Sequence, residues 1–419
     1  MEDLLFLTHR IPYPPNKGDK IRSYHLLKHL TQNYRVHLGT FIDDPDDSQH
    51  IDHVNDLCGR TYFARLKPNT ARLRSLGGLI TNRPLTLDYY RDAGLQTWVE
   101  HVLHELPIKR VLVFSSAMAQ YVSQAGRVRR IIDFVDIDSD KWLQYARKQT
   151  WPISWLYRRE GRLLLHYERQ VARDFDASLF VSKAEADLFK QLAPESAAKT
   201  GFFNNGVDAD YFSPTRSYQN PYPVDALPLV FTGAMDYWPN VDAVQWFARE
   251  ILPAVLAQNP GTRFYIVGSR PTAAVRALAE LPGVVVTGKV SDIRPYLAHA
   301  RLAVAPLRIA RGIQNKVLEA MAMAKPVIAS AQALEGITAN TGEDVLLARD
   351  SEEFISTISA LLQRPLDAIG KAARVRVLAD YSWELNLKRV DELFSPDAAL
   401  RSTSPASQPV TFTTTGVSA

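Results

Sequence analysis

Residues 309–330, IARGIQNKVLEAMAMAKPVIAS, concentrate groups that bind an anion at the predicted start of a helix. Free N–H groups and the helix dipole make such a start an anion site. Two cations add donors suited to a diphosphate. One carboxylate a turn further in can accept two vicinal hydroxyls, as on ribose. The residues assigned to this site are Arg311, Gly312, Ile313, Gln314, Asn315, Lys316 and Glu319.

A surface ion pair between Lys316 and Glu319, three residues apart, is the alternative interpretation of these two charges. The residues that follow, AMAM, are small and apolar, which favours a buried helix. Buried cations and carboxylates at a helix start indicate a ligand site more than a solvated surface.

A cluster of aspartates follows another predicted strand, in DFVDIDSDKW. Carboxylates such as Asp136 and Asp138 can accept hydrogen bonds from sugar hydroxyls, transfer protons or together hold magnesium. A purely structural role, with Asp133 inside the strand, is a further alternative. Asp136 and Asp138 are therefore candidate catalytic residues, with no metal assigned.

Further candidates follow other predicted strands, where parallel sheets bind their ligands. They are Lys17, Gly18, Gly233, Lys289 and Val290, and a further candidate is Asn205, in a turn predicted from Asn204, Asn205 and Gly206. The glycines permit close approach of a ligand to the backbone, and residues 289–290 can offer backbone groups to a planar base. Ordinary turns and strand-to-helix loops fit the same spacings equally well.

Short apolar runs alternate with longer amphipathic segments along the chain, which predicts parallel α/β units. The predicted strands are residues 4–8, 36–41, 61–66, 111–116, 130–135 and 177–182, then 227–234, 263–268, 284–290, 302–307, 326–330 and 344–349. The fold class predicted is α/β, with two Rossmann-like doubly wound domains facing across a cleft. The predicted divisions are 1–215, a linker at 216–226, 227–378, a helix at 379–394 that returns to the first domain, and a disordered tail at 395–419.

Composition narrows the function. The 419 residues are 46% hydrophobic and carry a formal charge of only +4, which argues against dedicated nucleic-acid binding. A single cysteine, Cys58, excludes an intramolecular disulfide framework and fits a reducing compartment. The first apolar run is predicted as a strand rather than a signal peptide, and no run approaches the ~18 residues of a membrane span. The expected location is cytoplasmic, with peripheral membrane contact as an extension.

That extension depends on two segments, KPNTARLRSLGGLITNRPL and WPISWLYRREGRLLLHYERQ. Both mix lysine and arginine with tryptophan, leucine and tyrosine, a combination that can lie on an anionic membrane surface. Helices that pack on the sheet and extend their arginines into solvent are the alternative.

The second half resembles the nucleotide-sugar-binding domain of group 1 glycosyltransferases through FYIVGSRP, GKVSDIRPYLAHARLAVAPL and GIQNKVLEAMAMAKPVIAS. The first half is similar to the branch associated with exopolysaccharide synthesis and exosortase (PEP-CTERM) systems through THRIPYPPNKGDKIRSYHLLKHL, FVDIDSDKW, FVSKAEADLF and NNGVDADYF. The likeness covers roughly residues 2–394. It implies the GT-B fold.

The resemblance also implies an activity. A retaining, metal-independent enzyme of hexosyltransferase type would transfer sugar from a UDP- or GDP-sugar to a glycan or lipid-linked acceptor at the inner membrane, with no other cofactor. Glu319 would bind ribose, the backbone at Lys289 and Val290 the base, and residues 312–315 the sugar and diphosphate. Gly18 would lie near the diphosphate or acceptor, with Lys17 and Asn205 on the acceptor side.

The sequence departs from the family pattern at three places. Arg311 stands where the first of two glutamates is expected, and Glu319 matches the second. The loop GAMDYWPN lacks the usual arginine and lysine, and Asp136 replaces a common histidine. Arg311 and Lys316 are therefore predicted to take over the diphosphate. The other functions compatible with these residues are a nucleotide-sugar epimerase of the same fold and a non-catalytic nucleotide-sugar-binding protein.

Overall fold

The computed structural model describes residues 1–15, 18–123, 126, 128–310, 312–363 and 367–394. Its first half is built on a seven-stranded parallel sheet in the order β3-β2-β1-β4-β5-β6-β7. The strands are β1 (Glu2–Thr8), β2 (Tyr34–Ile42), β3 (Thr61–Arg65), β4 (Arg110–Phe114), β5 (Arg129–Val135), β6 (Ala177–Phe180) and β7 (Thr200–Phe202).

The second half is built on a six-stranded parallel sheet in the order β10-β9-β8-β11-β12-β13. Its strands are β8 (Leu227–Thr232), β9 (Thr262–Val267), β10 (Val284–Gly288), β11 (Leu302–Ala305), β12 (Val327–Ala329) and β13 (Leu346–Leu347). Both orders follow the doubly wound pattern, in which the chain starts in the middle of the sheet and reverses direction once. The α/β prediction is confirmed.

Helices cover both faces of each sheet. In the first half they are α1 (Gly18–Asn33), α2 (Ile51–Asn55), α3 (Pro68–Ser75), α4 (Gly77–Thr81), α5 (Leu85–Tyr89), α6 (Ala93–Glu105), α7 (Asp138–Arg147), α8 (Ile153–Asp174) and α9 (Lys183–Leu192). In the second half they are α10 (Trp238–Trp246), α11 (Leu252–Gln258), α12 (Ala273–Arg276), α13 (Arg294–His299), α14 (Asn315–Ala322), α15 (Ser351–Leu362), α16 (Asp367–Asp380) and α17 (Trp383–Phe394). Short 3-10 helices span Pro45–His50, Ser116–Val122, Pro194–Lys199 and Ala277–Glu280, and a π-helical turn spans Phe247–Ile251.

The strands form where the sequence carries continuous apolar runs, because a parallel sheet is buried on both faces. In β1, Leu4 and Phe6 pack on one face of the first sheet, while Leu5 and Leu7 pack on the other. Each predicted apolar run overlaps an observed strand, although most strands end earlier than predicted. The observed β7 lies at the sheet edge and has three residues, one of them glycine, so its apolar signal is too short to predict a strand.

The last helix crosses between the two halves. Leu387, Val390 and Phe394 of α17 belong to the apolar core of the first sheet, and Asp391 lies 2.9 Å from His29 of α1. Arg110 also donates to the carbonyl of Phe394. Two predicted site residues, Lys17 and Arg311, and the predicted tail at 395–419 lie outside the described residues.

Candidate functional site

The loop before α14 and the first turn of that helix form the centre of the site in the second half. Gln314 is the N-cap residue and has an extended backbone, and its Nε2 donates to the carbonyl of Gly312 at 3.0 Å. Gly312 has φ +68, a left-handed conformation that glycine adopts without strain. The loop therefore turns sharply and leaves the first N–H groups of α14 available to a ligand.

Lys316 points from the first turn of α14 toward the first loop of the second sheet. Its Nζ donates to Oδ1 of Asn240 at 2.9 Å and lies 5.2 Å from the centre of the Phe231 ring. Burial lowers the pKa of Lys316 to about 8, although the nearby Glu319 carboxylate opposes the change. The ammonium is thus poorly solvated and is available to an anion that enters the site.

The glycines that follow the neighbouring strands β8 and β9 are there for a packing reason. A Cβ on Gly233 would lie 2.7 Å from Asn240 Nδ2 and 3.5 Å from Lys316 Cε. A Cβ on Gly268 would lie 1.6 Å from the carbonyl oxygen of Gly233. Asn240 Nδ2 also donates to the carbonyl of Ala234 at 2.9 Å. Gly233 therefore lets Asn240 pack against the loop and hold Lys316; its contact with a ligand stays a prediction.

Glu319 lies one turn further along α14. Burial raises the pKa of its carboxyl to about 7, and the charge of Lys316 opposes that rise. Because Lys316 donates to Asn240, the structure does not show the predicted alternative of a solvated Lys316–Glu319 surface pair. Two poorly solvated ionisable groups one turn apart form a site whose charges can be stabilised by a polar ligand.

Asn315 and Ile313 lie at the same helix start. The Asn315 Oδ1 atom is buried and has no hydrogen-bond partner among the described residues. A buried acceptor without a donor is unfavourable in the free protein. The Asn315 Oδ1 atom can therefore accept a hydrogen bond from a hydroxyl of a ligand. The Ile313 side chain is buried in the second core, which leaves only its backbone for a ligand.

Lys289 and Val290 follow β10 at the edge of the second sheet. Lys289 is exposed and Val290 is partly buried against the core. Further along this loop, Arg294 lies 3.8 Å from the centre of the Tyr211 ring. Burial, then the charge of Asp292, raises the pKa of Tyr211, and Glu319 lies near enough to add to the effect. Tyr211 therefore links the loop after β10 with the Glu319 end of α14.

The aspartates of the first half lie opposite this site. A Cβ on Gly312 would lie 3.7 Å from Asp136 Oδ1 and 3.7 Å from Val181 Cγ1, so the two halves meet at this point. Lys141 Nζ lies 2.6 Å from Asp136 and 3.5 Å from Asp138. Despite burial, the two carboxylates raise the pKa of Lys141. An ammonium therefore occupies the position between the carboxylates where the alternative interpretation placed magnesium.

Two buried glutamates hold the loop that carries these aspartates. Glu185 of α9 accepts a hydrogen bond from the N–H of Ile137 at 3.0 Å. Glu168 of α8 accepts from the Ser139 N–H at 3.1 Å and pairs with Ser139 Oγ at 2.5 Å. Both glutamates thus bind N–H groups at the start of α7, a region where carboxyl groups are favoured.

The same loop begins with a strained residue. Val135 has φ +70, which is unfavourable for a β-branched side chain, and the register of β5 against β6 shifts between Asp133 and Val135. Its carbonyl accepts from the N–H of Val181 at 2.7 Å. Such strain persists only where the surroundings impose it, and Glu168 and Glu185 are part of those surroundings.

A chain of hydrogen bonds continues from Asp138 to the loop after β1. Ser116 Oγ donates to Asp138 at 3.2 Å, and the preceding residue, Ser115, lies 3.3 Å from His9 Nδ1. The other nitrogen of His9 lies 3.3 Å from Asp19, which accepts from Arg10 at 2.7 Å. Burial alone would raise the pKa of the Asp19 carboxyl, but its contacts with His9 and Arg10 hold that pKa well below its usual range.

Asn205 and Gly18 have different surroundings. Asn205 is buried, and its Oδ1 accepts from Arg22 at 2.9 Å. Arg22 in turn forms a buried ion pair with Asp133, 2.6 Å apart. Asn205 therefore supports the fold in this structure, and its acceptor-side role stays a prediction. Gly18 begins α1, and among the described residues beyond its chain neighbours no atom lies within 4 Å of the position that its Cβ would take.

Several residues of this arrangement were not predicted from the sequence. They are His9, Arg10, Asp19, Ser115, Ser116, Lys141, Glu168, Tyr211, Asn240 and Arg294. His9, Arg10 and Asp19 flank the predicted Pro-rich loop, so a systematic inspection of charged residues after β1 could have found them. The Ser182 side chain caps α9 by accepting from the N–H of Glu185, and the Glu185 carboxylate accepts from the N–H of Ile137.

No group of three or more histidine, cysteine, aspartate or glutamate side chains is arranged to hold a metal ion within the described part of the chain.

Comparison by sequence identifies one family. Residues 227–364, which form most of the second half, match the family described as Glycosyl transferases group 1. No curated protein matches the chain.

Solved structures resemble the whole fold. Sucrose-phosphate synthase from Thermosynechococcus elongatus is 18% identical with a TM-score of 0.67, covering 94% of this chain and 98% of that chain. HepE from Anabaena in complex with UDP-glucose is 16% identical with a TM-score of 0.63, covering 94% and 99%. A glycosyltransferase from Rickettsia africae is 13% identical with a TM-score of 0.63, covering 96% and 99%. The two-sheet architecture is that of GT-B glycosyltransferases.

Proposed function

We propose that this chain, whose residues 227–364 are of the group 1 glycosyl transferase type, is a retaining, metal-independent glycosyltransferase. It moves a hexose from a nucleotide diphosphosugar to a hydroxyl of a glycan. The observation that carries the proposal is the pair Lys316 and Glu319 on α14. One is a poorly solvated ammonium with a lowered pKa, and the other is a poorly solvated carboxyl with a raised pKa.

The donor would lie across the start of α14. The diphosphate would accept hydrogen bonds from the first N–H groups of the helix and from Lys316, since both supply positive charge. The ribose hydroxyls would donate to Glu319, and the base would lie on the backbone at Lys289 and Val290, near Tyr211. The hexose would then project toward Asn315 Oδ1 and the first half.

The leaving diphosphate makes the largest electrostatic demand of the reaction. A preorganised cation in a poorly solvated site stabilises developing negative charge far better than it could in water. Lys316 is held by Asn240 in such a position. Lys316, together with Arg311, is therefore proposed to do what a bound metal does in other transferases.

The acceptor would bind at the carboxyl edge of the first sheet. Asp136 faces the Gly312 loop, so a sugar hydroxyl between the two halves can donate to it. Asp138 continues through Ser116 toward Ser115 and His9, which gives the acceptor a polar edge. The proposed acceptor is a lipid-linked or growing exopolysaccharide glycan, used on the cytoplasmic face of the inner membrane. The same edge holds Gly18, with Lys17 and Asn205 as proposed acceptor-side residues.

The donor is proposed to carry UDP or GDP. The Anabaena HepE structure contains UDP-glucose, which makes UDP-hexoses the first donors to examine here.

A panel of UDP- and GDP-hexoses, incubated with the protein and a lipid-linked acceptor, tests the proposal. Release of nucleoside diphosphate with formation of a product of unchanged anomeric configuration by NMR is expected. Binding without release would instead support a nucleotide-sugar-binding protein, and interconversion of the free donor would support an epimerase. Either result, or inversion at the anomeric carbon, would contradict the proposal.

A further inference from the structure

An apolar surface on the first half is exposed next to charged residues. Ile80, Trp151 and Leu73 expose 91, 80 and 71% of their surface, and Trp155 exposes 51%. Leu73 and Ile80 belong to α3 and α4, Trp151 comes just before α8, and Trp155 lies in the first turn of α8. Scattered apolar side chains are ordinary on protein surfaces, but a cluster of large ones indicates an interaction site. We call these four residues and their surroundings the tryptophan–leucine face.

The exposed charged residues of the two segments that carry this face are all cations, and the nearby carboxylates of Asp88 and Glu160 are buried. The sequence contains no aspartate or glutamate from Leu66 to Leu87 or from Lys141 to Arg159. The cations in these two segments are Lys67, Arg72, Arg74 and Arg83, then Arg147, Lys148 and Arg158, together with Lys141 and Arg159, which are bound within the protein. Several of them, such as Arg72, Arg147 and Arg158, are exposed. The face is therefore complementary to a negatively charged surface.

The two segments are fixed to each other. Arg159 of α8 donates to the carbonyls of Gly78 and Arg83, at the two ends of the α4 region. The neighbouring Glu160 accepts from the N–H groups of Leu85 and Thr86 at 2.8 and 2.9 Å. Trp155 lies one turn before Arg159 on the same side of α8. The exposed residues of α4 and α8 are thus held in one region of the surface.

The face adjoins the proposed site. The helix α7 starts at Asp138, at the cleft, and ends at Arg147, just before Trp151. Ten residues of α-helix span about 15 Å. Lys148, which follows α7, lies 4.9 Å from the centre of the Trp238 ring in the second half, so this end also reaches across the opening between the halves.

We propose that the tryptophan–leucine face docks on an anionic lipid bilayer. The inference rests on the proposed function only for the identity of the acceptor. It adds the surface of the protein at which a lipid-linked acceptor would be presented. The apolar side chains insert at the level of the lipid headgroups, where tryptophan is favoured, and the surrounding cations contact anionic headgroups.

The observations favour a bilayer over a protein partner. Tryptophan and arginine are also common at protein interfaces. Exposed cations around tryptophan, leucine and isoleucine side chains are, however, the combination that an anionic bilayer attracts at the level of its headgroups. No helix among the described residues is long and apolar enough to cross a membrane. Surface docking is thus the mode of membrane contact that these helices allow.

Vesicle co-sedimentation with the full chain, without donor, tests the inference. Phosphatidylcholine vesicles that contain roughly one third phosphatidylglycerol should bind the protein, and vesicles of pure phosphatidylcholine should bind it much less. The double variants Leu73→Glu/Ile80→Glu and Trp151→Glu/Trp155→Glu should each weaken binding by at least about tenfold. Raising the salt concentration should also weaken wild-type binding, because headgroup attraction is screened.

A matched control is available on α16. Val375 and Leu378 expose 68 and 47% of their surface on the second half, so Val375→Glu/Leu378→Glu makes the same change elsewhere and should leave vesicle binding unaltered. No binding to anionic vesicles, equal loss in the control, or self-association of the wild type through these residues would overturn the inference.

The proposed function is measured separately in the same variants. Calorimetric binding of UDP and GDP without vesicles should be the same in wild type and all three double variants. Vesicle binding with no nucleotide binding would leave the docking inference standing and contradict the function, and the reverse result would contradict the docking alone.

Discussion

The charged groups of the two halves are arranged in opposite ways. In the first half each carboxylate at the cleft has a cation within the protein: Asp136 and Asp138 share Lys141, and Asp19 contacts Arg10. In the second half the ammonium of Lys316 is held by a neutral amide, Asn240.

The difference indicates what each half is built to bind. The negative charges of the first-half carboxylates are already paired with cations of the protein. These carboxylates can therefore accept hydrogen bonds from ligand hydroxyls without attracting a further cation. Lys316 and the start of α14 carry positive charge that the neighbouring Asn240 does not neutralise, which suits a diphosphate. In the proposed function, donor and acceptor would therefore bind to surfaces with different electrostatic requirements.

Lys316→Ala should cause the largest loss of donor turnover. The variant lacks the cation that stabilises the leaving diphosphate, so kcat/KM for donor turnover should fall by at least about 100-fold with little change in melting temperature. Released nucleoside diphosphate is the measurement. Lys325→Ala is the control, because Lys325 follows the same helix but donates to the Ala300 carbonyl. Equal losses in both variants would show that Lys316 has no special role.

Lys141→Met should affect the acceptor side alone. Methionine keeps most of the side chain but leaves Asp136 and Asp138 without their shared cation, so the two carboxylates repel each other. We expect kcat to fall by about tenfold or more at saturating donor, with the Kd for nucleoside diphosphate unchanged. Arg147→Met, on the exposed end of the same helix, should retain activity. Weakened nucleotide binding in Lys141→Met would contradict the separation of the two sites.

Glu168→Gln should change how the stability of the protein depends on pH. Burial, reinforced by Asp138, raises the pKa of Glu168 to about 8, above the value of about 4.3 expected in the unfolded chain. Protonation therefore stabilises the fold fully below about pH 4, and this contribution is lost as the pH rises toward 8. As the pH rises across this range, the free energy of unfolding of the glutamine variant should increase relative to that of the wild type, on the order of 1 kcal/mol per pH unit.

The measurement is urea unfolding of both proteins at pH 5 and pH 7.5. Glutamine can still accept from the Ser139 N–H and donate to Ser139 Oγ, so the loop should keep its conformation. A stability difference independent of pH would show that Glu168 is ionised in the folded protein.

Lys289→Ala should have the smallest effect. The Lys289 side chain is exposed and only its backbone is proposed to contact the base, so the KM for the donor should change by less than about threefold. Steady-state kinetics over a range of donor concentrations measures it. A loss above about tenfold would assign the ammonium itself to the donor.

Much of the architecture could be predicted because its signals are local. Strands buried on both faces, such as β1 and β11, are continuous apolar runs that the sequence displays directly. The charges of α14 could be recognised for the same reason, since Lys316 and Glu319 lie within one turn. The edge strand β7 was missed because three residues with a central glycine give no such run.

The partners of the site could not be predicted because they depend on the fold. Lys316 and Asn240 are 76 positions apart, and Ser115 and His9 are 106 positions apart. Glu168 and Glu185 carry ordinary helical signals, and only the folded chain brings them to the loop that holds Asp136 and Asp138. Asn205 shows the opposite case, in which a turn motif suggested a ligand and the side chain binds Arg22.

Proton uptake during the binding of UDP or GDP tests whether Lys316 binds the diphosphate. At pH 8.5 Lys316, with a pKa of about 8, is mostly neutral in the free protein, and a bound diphosphate should restore its proton. Calorimetry in buffers of different ionisation enthalpy should show a net uptake of protons for the preferred nucleotide, and none for Lys316→Met. Tight binding by the wild type with no proton uptake, or no binding of either nucleotide, would contradict the account.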